Sequence, residues 1–366
     1  MKILIAPDSF KECLSAAEVA GIICDAVNSL GHTGVKIPVA DGGEGFAAAL
    51  ASAANARKTT VSAHDALMRP IEAPYYVTDT GTVILEAADT FGLALIEPEK
   101  RNPLNTTSFG MGEQIARALE NGHKDFVIGL GGSATNDCGA GLMQALGFVL
   151  LDRGGKPLPS GAAGKDLSAV FRVIAPDIGM KITLAVDVSN PLLGPNGAAA
   201  VFAPQKGADD DAIAVLEQGA ESFHRTLERS AGKEIPLCAG LGAAGGAGLP
   251  FYAYFNASFK SGIDLILDDS SFDAELQTAG LVITGEGRID AQTACGKAPA
   301  GVARRSGNVP VIAVCGRTGK GFEAVYQTGI RSVYPVTPEN MPFERAKRDA
   351  PRLLRGTVLK ILEEYQ

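Results

Sequence analysis

One pattern, repeated along the chain, restricts the fold more than any other feature: a short apolar run, a loop of glycine and acidic residues, then a helix. Residues 2–6 are the first such run and read as a buried strand, followed by a polar connection over 7–14. Ser15 and Glu18 then form an S-x-x-E capping box, and Val19, Ile22, Ile23, Ala26, Val27 and Leu30 recur at helical spacing until Gly31 supplies a stop. The same order returns at 126–130 with the loop 131–137, and at 281–284 with the loop 285–290. Weaker echoes are 184–186 before Asp187 and 311–314 before Gly316. Continuous apolar strands separated by helices predict a mostly parallel sheet, whose ligands collect at the carboxyl ends of the strands. The polar loops are therefore expected on one rim.

At 366 residues the chain exceeds what one hydrophobic core usually supports, so two α/β domains with a cleft between them are expected. The larger is predicted to be a flavodoxin- or Rossmann-like, mostly parallel sheet, discontinuous in sequence, from 1–55, 105–150 and 276–366. A second, mixed α/β domain is predicted to be inserted, from 56–104 and 151–275. Within it, short alternating runs over 59–86, with Asp79-Thr80-Gly81 between the last two, read as a β-meander or hairpin.

Charge and cysteine usage exclude several classes. A net charge of −8, without a Lys/Arg block interleaved with aromatics, argues against nucleic acid as the main partner. No apolar run reaches about 18 residues, and the first residues are too short for a signal-peptide core, so neither membrane insertion nor secretion is expected. Six cysteines are scattered without a CxxC pair or Cys/His cluster, which predicts neither zinc nor a disulfide framework and fits a reducing cytoplasm.

The stretch Gly131-Gly132-Ser133-Ala134-Thr135-Asn136-Asp137 carries the most chemistry. Small residues let backbone N–H groups reach phosphate oxygens, and a helix amino terminus directly after the loop would add partial positive charge. A tight turn alone would need the glycines but not Ser133, Thr135, Asn136 and Asp137. A second cluster joins Glu286, Arg288 and Asp290 to Lys297, and phosphoryl transfer needs both cations for the spreading charge and carboxylates for Mg²⁺ or the hydroxyl. A solvated loop with local ion pairs would look the same. Asp8, Ser9 and Lys11 follow the first strand, Asp41, Gly42 and Gly43 open another polar loop, and Asp187, Asn190 and Lys206 complete the polar residues at element ends. Five such loops suggest a site that binds several charged groups at once.

Other matches fail on context. Residues 240–245 satisfy GxGxxG, but the preceding residues make a poor first strand for a dinucleotide-binding unit. Gly296-Lys297 and Gly319-Lys320 lack the remainder of a Walker loop. The four histidines stand apart from acidic or cysteine partners in sequence, and the aromatics of 251–259 read as core.

Taken together, IAPDSFK (5–11), VADGGEG (39–45), GLGGSATND (129–137), DVSNPLLGPNGA (187–198), PQKGA (204–208), GAAGGAG (242–248) and ITGEGRIDAQT (283–293) with GKAP (296–299) closely resemble the bacterial glycerate kinase family. Cys13 and Cys138 depart from the residues that family prefers there. The resemblance implies ATP-dependent phosphorylation of D-glycerate, at the 2-hydroxyl to give 2-phosphoglycerate. A 3-phosphoglycerate-forming kinase, a nonenzymatic phosphometabolite sensor of the same fold and a nicotinamide-dependent oxidoreductase are the alternatives. By chemistry, Gly131, Gly132, Ser133, Ala134, Thr135 and Asn136 are assigned to nucleotide phosphates. Lys11 and Arg288 are assigned to transition-state charge, Glu286 and Asp290 to Mg²⁺, Asp187 to the substrate hydroxyl, and Lys206 or Lys297 to the glycerate carboxylate.

Overall fold

The computed structural model describes residues 1–40 and 42–364, and the chain divides into two compact units. The first comprises Met1–Asp41, Ala48–Ala54 and Ser261–Gln366; the second, inserted unit comprises Gly42–Ala47 and Asn55–Lys260. In chain order the strands are β1 (Lys2–Pro7), β2 (Thr33–Lys36), β3 (Arg57–His64), β4 (Pro70–Val77), β5 (Val83–Glu86), β6 (Asp125–Gly129) and β7 (Val149–Leu151). They continue with β8 (Arg172–Ile174), β9 (Lys181–Ala185), β10 (Ser258–Lys260), β11 (Leu281–Ile289), β12 (Val311–Thr318) and β13 (Ile330–Pro335).

The first unit is built on a parallel sheet in the order β13-β12-β11-β1-β2. Ile3, Leu4, Ile5 and Ala6 are fully buried, as a strand covered on both faces requires. Helix α1 (Ala16–Ser29) starts with the expected reciprocal cap: the Ser15 hydroxyl accepts from the Glu18 amide, and the Glu18 carboxylate accepts from the Ser15 amide. Its 3.6-residue apolar stripe, Val19, Ile23, Ala26 and Val27, packs in one core with Leu354, Val358 and Leu362 of the helix Phe343–Glu364. Each Val, Ile or Leu side chain buried there contributes roughly 1.5–3 kcal/mol.

The inserted unit holds a six-stranded sheet in the order β10-β9-β6-β5-β4-β3 and a small β7-β8 ladder. The β3-β4-β5 portion is antiparallel, which is the meander expected over 59–86, whereas β5, β6, β9 and β10 run parallel. Phe91, Phe126, Met111, Ile128 and Phe251 lie in its core, and Phe148 meets Tyr254 edge-to-face at 4.9 Å, so the aromatics of 251–259 are core, as expected.

The boundaries differ from the sequence reading at three places, the first being residues 42–47, which join the inserted unit. Residues 105–150 belong to the inserted unit, because β6 lies between β5 and β9, and this makes the inserted unit the larger of the two. Residues 261–275 join the first unit. An apolar run announces a buried parallel strand but not its neighbours, which are set by non-local pairing. Among the described residues no helix is long and apolar enough to cross a membrane.

Candidate active site

In the inserted unit, β5, β6 and β9 end level with one another: Glu86 pairs with Gly129, and Gly129 with Ala185. The segments that begin at 87, 130 and 186 therefore leave the carboxyl edge of the sheet side by side. Here the glycines of two motifs interlock. The Gly131 amide donates to Gly42 O (2.9 Å), and a Cβ on Gly131 would collide with the Gly43 backbone. The Gly42 amide donates to Asp187 Oδ2. Gly42, Gly43, Gly131 and Asp187 are thus brought together, but the loops after β1 and β11 belong to the other sheet, so the polar loops do not share the rim of one sheet as expected; Asp41 lies outside the described residues.

The rest of the loop is clamped from below. Lys206 is 2% exposed, and its Nζ donates to Thr135 O (2.6 Å) and Ser133 Oγ (3.1 Å). Burial pushes its ammonium down to about 7, opposed by the nearby Asp137 and Cys138. Lys206 therefore sits beneath the loop instead of presenting its charge to a substrate carboxylate, a correction that a turn sequence such as PQKG conceals. The Ala134 amide is tied to Phe91 O (2.7 Å), and Gly132 adopts φ +70°. Inside the loop, Thr135 Oγ1 and Asn136 Oδ1 are buried without a hydrogen-bond partner among the described residues.

Asp137 corrects a second expectation. The following helix starts only at Ala140, and the buried Asp137 carboxylate already occupies its amino terminus, accepting from the amides of Gly139 (3.1 Å) and Gly141 (3.2 Å) and from Ser108 N and Oγ. Burial raises the Asp137 pKa while these donors pull it down. No helix dipole is therefore left for a phosphate at this loop, and its Gly131 and Ala134 amides already donate to Gly42 O and Phe91 O.

The GxGxxG match also finds its physical reason. Gly242 and Gly245 let backbone pass backbone: a Cβ on Gly245 (φ +64°) would strike Thr135 O, and one on Gly242 would strike Pro191 O. Gly240 and Gly242 both donate to Asn190 O, and Asn190 Nδ2 braces its own loop on Asn196 O (2.8 Å). With Ala244 and Gly245 in left-handed conformations, the tract is a packing wedge, not a strand-to-helix turn for a dinucleotide.

Glu86 and Asp89 were missed from sequence, where an acid closing an apolar strand run reads as a simple strand end. Glu86 is buried at the same edge and accepts from the amides of Gly45 (2.9 Å) and Ala47 (2.6 Å). Burial, then Asp89 and Glu44, push its carboxyl up to about 7 against those two bonds, and burial raises Asp89 to about 6.

The first unit gathers the other set. The stretch 285–289, expected as a loop, instead prolongs β11, because β12 continues beside it: Glu286 pairs with Cys315, Arg288 with Arg317 and Ile289 with Thr318. The Asp8 amide donates to Gly285 O (2.8 Å) and the Gly287 amide to Ser9 O (3.3 Å), which brings the turn holding Asp8, Ser9 and Lys11 onto β11. Glu286, nearly buried, accepts from Thr293 Oγ1 (2.5 Å) and faces Lys297 Nζ at 3.6 Å. Thr293 Oγ1 in turn accepts from the Asp290 amide, and Asp290 Oδ2 lies 3.5 Å from Arg288 Nε. The Arg288 side chain remains 68% exposed. Among the described residues no group of three or more His, Cys, Asp or Glu could hold a metal ion.

The sequence signature of the glycerate kinase family matches residues 3–366. A glycerate kinase from Bacillus subtilis (strain 168) is 43% identical, covering 99% of this chain and 97% of its own. A glycerate 2-kinase from Escherichia coli (strain K12) is 38% identical over 96% of this chain and 94% of its own. The crystal structure of a proposed glycerate kinase 2 from Salmonella typhimurium LT2 superposes with a TM-score of 0.84 at 38% identity, over 100% of this chain and 98% of the other.

Proposed function

The chain belongs to the glycerate kinase family, and on that premise we propose that it transfers the γ-phosphoryl group of ATP to D-glycerate, at the 2-hydroxyl. The observation that carries this reading is the meeting of a glycine-walled loop, 131–136, with Asp187 through Gly42 at one strand edge. The loop's small residues suit phosphate oxygens, because Gly131 and Gly132 carry no side chain to block their approach to the backbone. The choice of the 2-hydroxyl follows the name of the Escherichia coli relative.

In this reading Asp187 takes the proton of the attacking hydroxyl. The glycerate oxygen bonds to the γ-phosphorus as the bond to the β–γ bridging oxygen breaks, and ADP leaves with that electron pair. Because Gly42 holds one Asp187 oxygen, the carboxylate is fixed before substrate arrives, which removes an orientational cost from the reaction. Lys11 and Arg288 stabilise the charge that spreads over the phosphoryl oxygens, and Lys297 takes the glycerate carboxylate.

A nucleotide-borne Mg²⁺ needs only one or two protein carboxylates, since phosphate oxygens and water complete its octahedron. Glu286 and Asp290, joined through Thr293, fit that modest demand, and their present neighbours Lys297 and Arg288 show that the spot already balances anion against cation. When bound, the ion would neutralise charge between the β- and γ-phosphates.

A coupled ADP-release assay with D-glycerate, ATP and Mg²⁺ tests the proposal. Release that requires all three, and that falls by orders of magnitude in Asp187→Asn with ATP binding retained, supports it. ATP binding without glycerate-dependent release would instead favour a sensor of the same fold.

A further inference from the structure

We infer that Glu86 is a positioning residue for the reaction: its carboxylate fastens the turn 42–47 in the conformation that walls the loop 131–136 and holds Asp187. This rests on the functional reading above, in which that turn, loop and Asp187 carry the chemistry.

The geometry forms a chain of direct contacts within the inserted unit. Glu86 ends β5, beside Gly129 of β6. Its Oε1 accepts from the Gly45 amide at 2.9 Å and its Oε2 from the Ala47 amide at 2.6 Å. Between them the Phe46 ring lies against Gly129, where a Cβ would collide with it, so the turn is pinned on both sides of one residue. The other end of the same turn supplies Gly42, which donates to Asp187 and accepts from Gly131, and Gly43, which packs on Gly131. Moving the Glu86 tether therefore moves the partners of both functional groups.

Helix capping alone does not account for this carboxylate. Gly45 and Ala47 flank the first residue of helix α2 (Phe46–Ala53), and an N-cap side chain ordinarily comes from the residue next to the helix and stays at the surface. Position 45 is instead glycine at φ +90°, and the acceptor comes from a strand some forty positions away with 4% exposure. Burying a carboxylate without a cation partner costs stability, and a local serine or aspartate would cap at less expense. What the distant acid adds is a fixed placement of the turn on the rim of the sheet.

The tether is also titratable. The charged groups around it are Asp89 on the short helix Ala88–Phe91 and Glu44 on the turn itself, with Lys58 of β3 acting on Asp89 and Tyr76 of β4 sensing both Glu86 and Asp89. Burial and the two neighbouring acids raise Glu86 to about 7. Protonation places a hydrogen on one of two oxygens that both face N–H donors, so the tether loosens as pH falls through neutrality.

Glu86→Gln keeps the shape and removes the second acceptor. Amide hydrogen exchange should quicken by about five- to tenfold across 42–47, the equivalent of one lost hydrogen bond. The kcat/KM for D-glycerate should fall by on the order of 10²-fold, as displaced reacting groups produce. The part of the wild-type acid limb that lies near pH 7 should vanish in this variant and persist in Glu86→Asp, which keeps the titrating carboxyl on a shorter stem. Unchanged exchange over 42–47, or an unchanged kcat/KM and pH profile, overturns the inference. If Glu86→Gln does not fold, Glu86→Asp decides: lowered kcat/KM with the acid limb retained supports the tether, and wild-type kinetics refute it. Wild-type protein without glycerate-dependent ADP release would defeat the functional reading, while the exchange comparison would still judge whether Glu86 holds the turn.

Discussion

In the proposed reaction the two units serve the same chemical requirement, placing charge and donors for an anionic ligand, in opposite ways. In the inserted unit the candidate loop is held largely through its backbone, and Lys206, which donates to Ser133 and Thr135, is 2% exposed. In the first unit the candidate groups are side chains on β11 and the segment after it, and Arg288 projects with 68% of its side chain exposed. The first arrangement is preorganised by packing, so its groups cost little to hold but tolerate little change. The second is held by partly solvated ion pairs, which add little to stability and are available to a ligand. Damage to the inserted unit's loop should therefore be read in stability, and damage to the β11 cluster in turnover.

That contrast is most severely tested at Gly245, whose left-handed conformation and contact with Thr135 O leave no room for a methyl group. Gly245→Ala should lower stability by roughly 2–4 kcal/mol, from overpacking together with αL strain, seen as a lower denaturant midpoint at unchanged slope. Lys206→Met should cost about 1–3 kcal/mol, because Ser133 and Thr135 lose a buried partner. It should also change the pH dependence. With Lys206 pushed down to about 7 from its ordinary 10.5, the unfolded chain holds this proton more tightly across that window. Stability then rises with pH between those values, and the substitution removes that rise. Arg288→Ala should move stability by no more than about 0.5 kcal/mol yet lower kcat by on the order of 10²–10³. A strongly destabilised Arg288→Ala, or a Lys206→Met with normal stability, would break the contrast.

Much of this organisation was legible in the sequence because the relevant signals are local. The S-x-x-E cap, the apolar runs of β1, β6 and β11, the alternation of the meander and the polar loop 131–137 all depend on residues a few positions apart. What stayed hidden depends on partners distant along the chain. Glycines at 285 and 287 read as a loop, but β12 extends alongside and keeps them in a strand. Lys206 looks like the end of a surface turn until the loop at 133–135 closes over it. Glu86 gains its role from a turn some forty residues earlier. The GxGxxG match at 240–245, rejected as a cofactor motif, proves to be the wedge behind the candidate site, for which close backbone approach is the physical signature.

The measurement that bears most directly on the whole account is proton-coupled ³¹P NMR of a reaction started with D-glycerate, ATP and Mg²⁺. A new phosphomonoester signal, split into a doublet by the single proton on carbon 2, is expected to appear in step with ADP. A triplet, from the two protons on carbon 3, would contradict the assigned hydroxyl. No phosphomonoester from folded, ATP-binding protein would contradict the kinase reading itself.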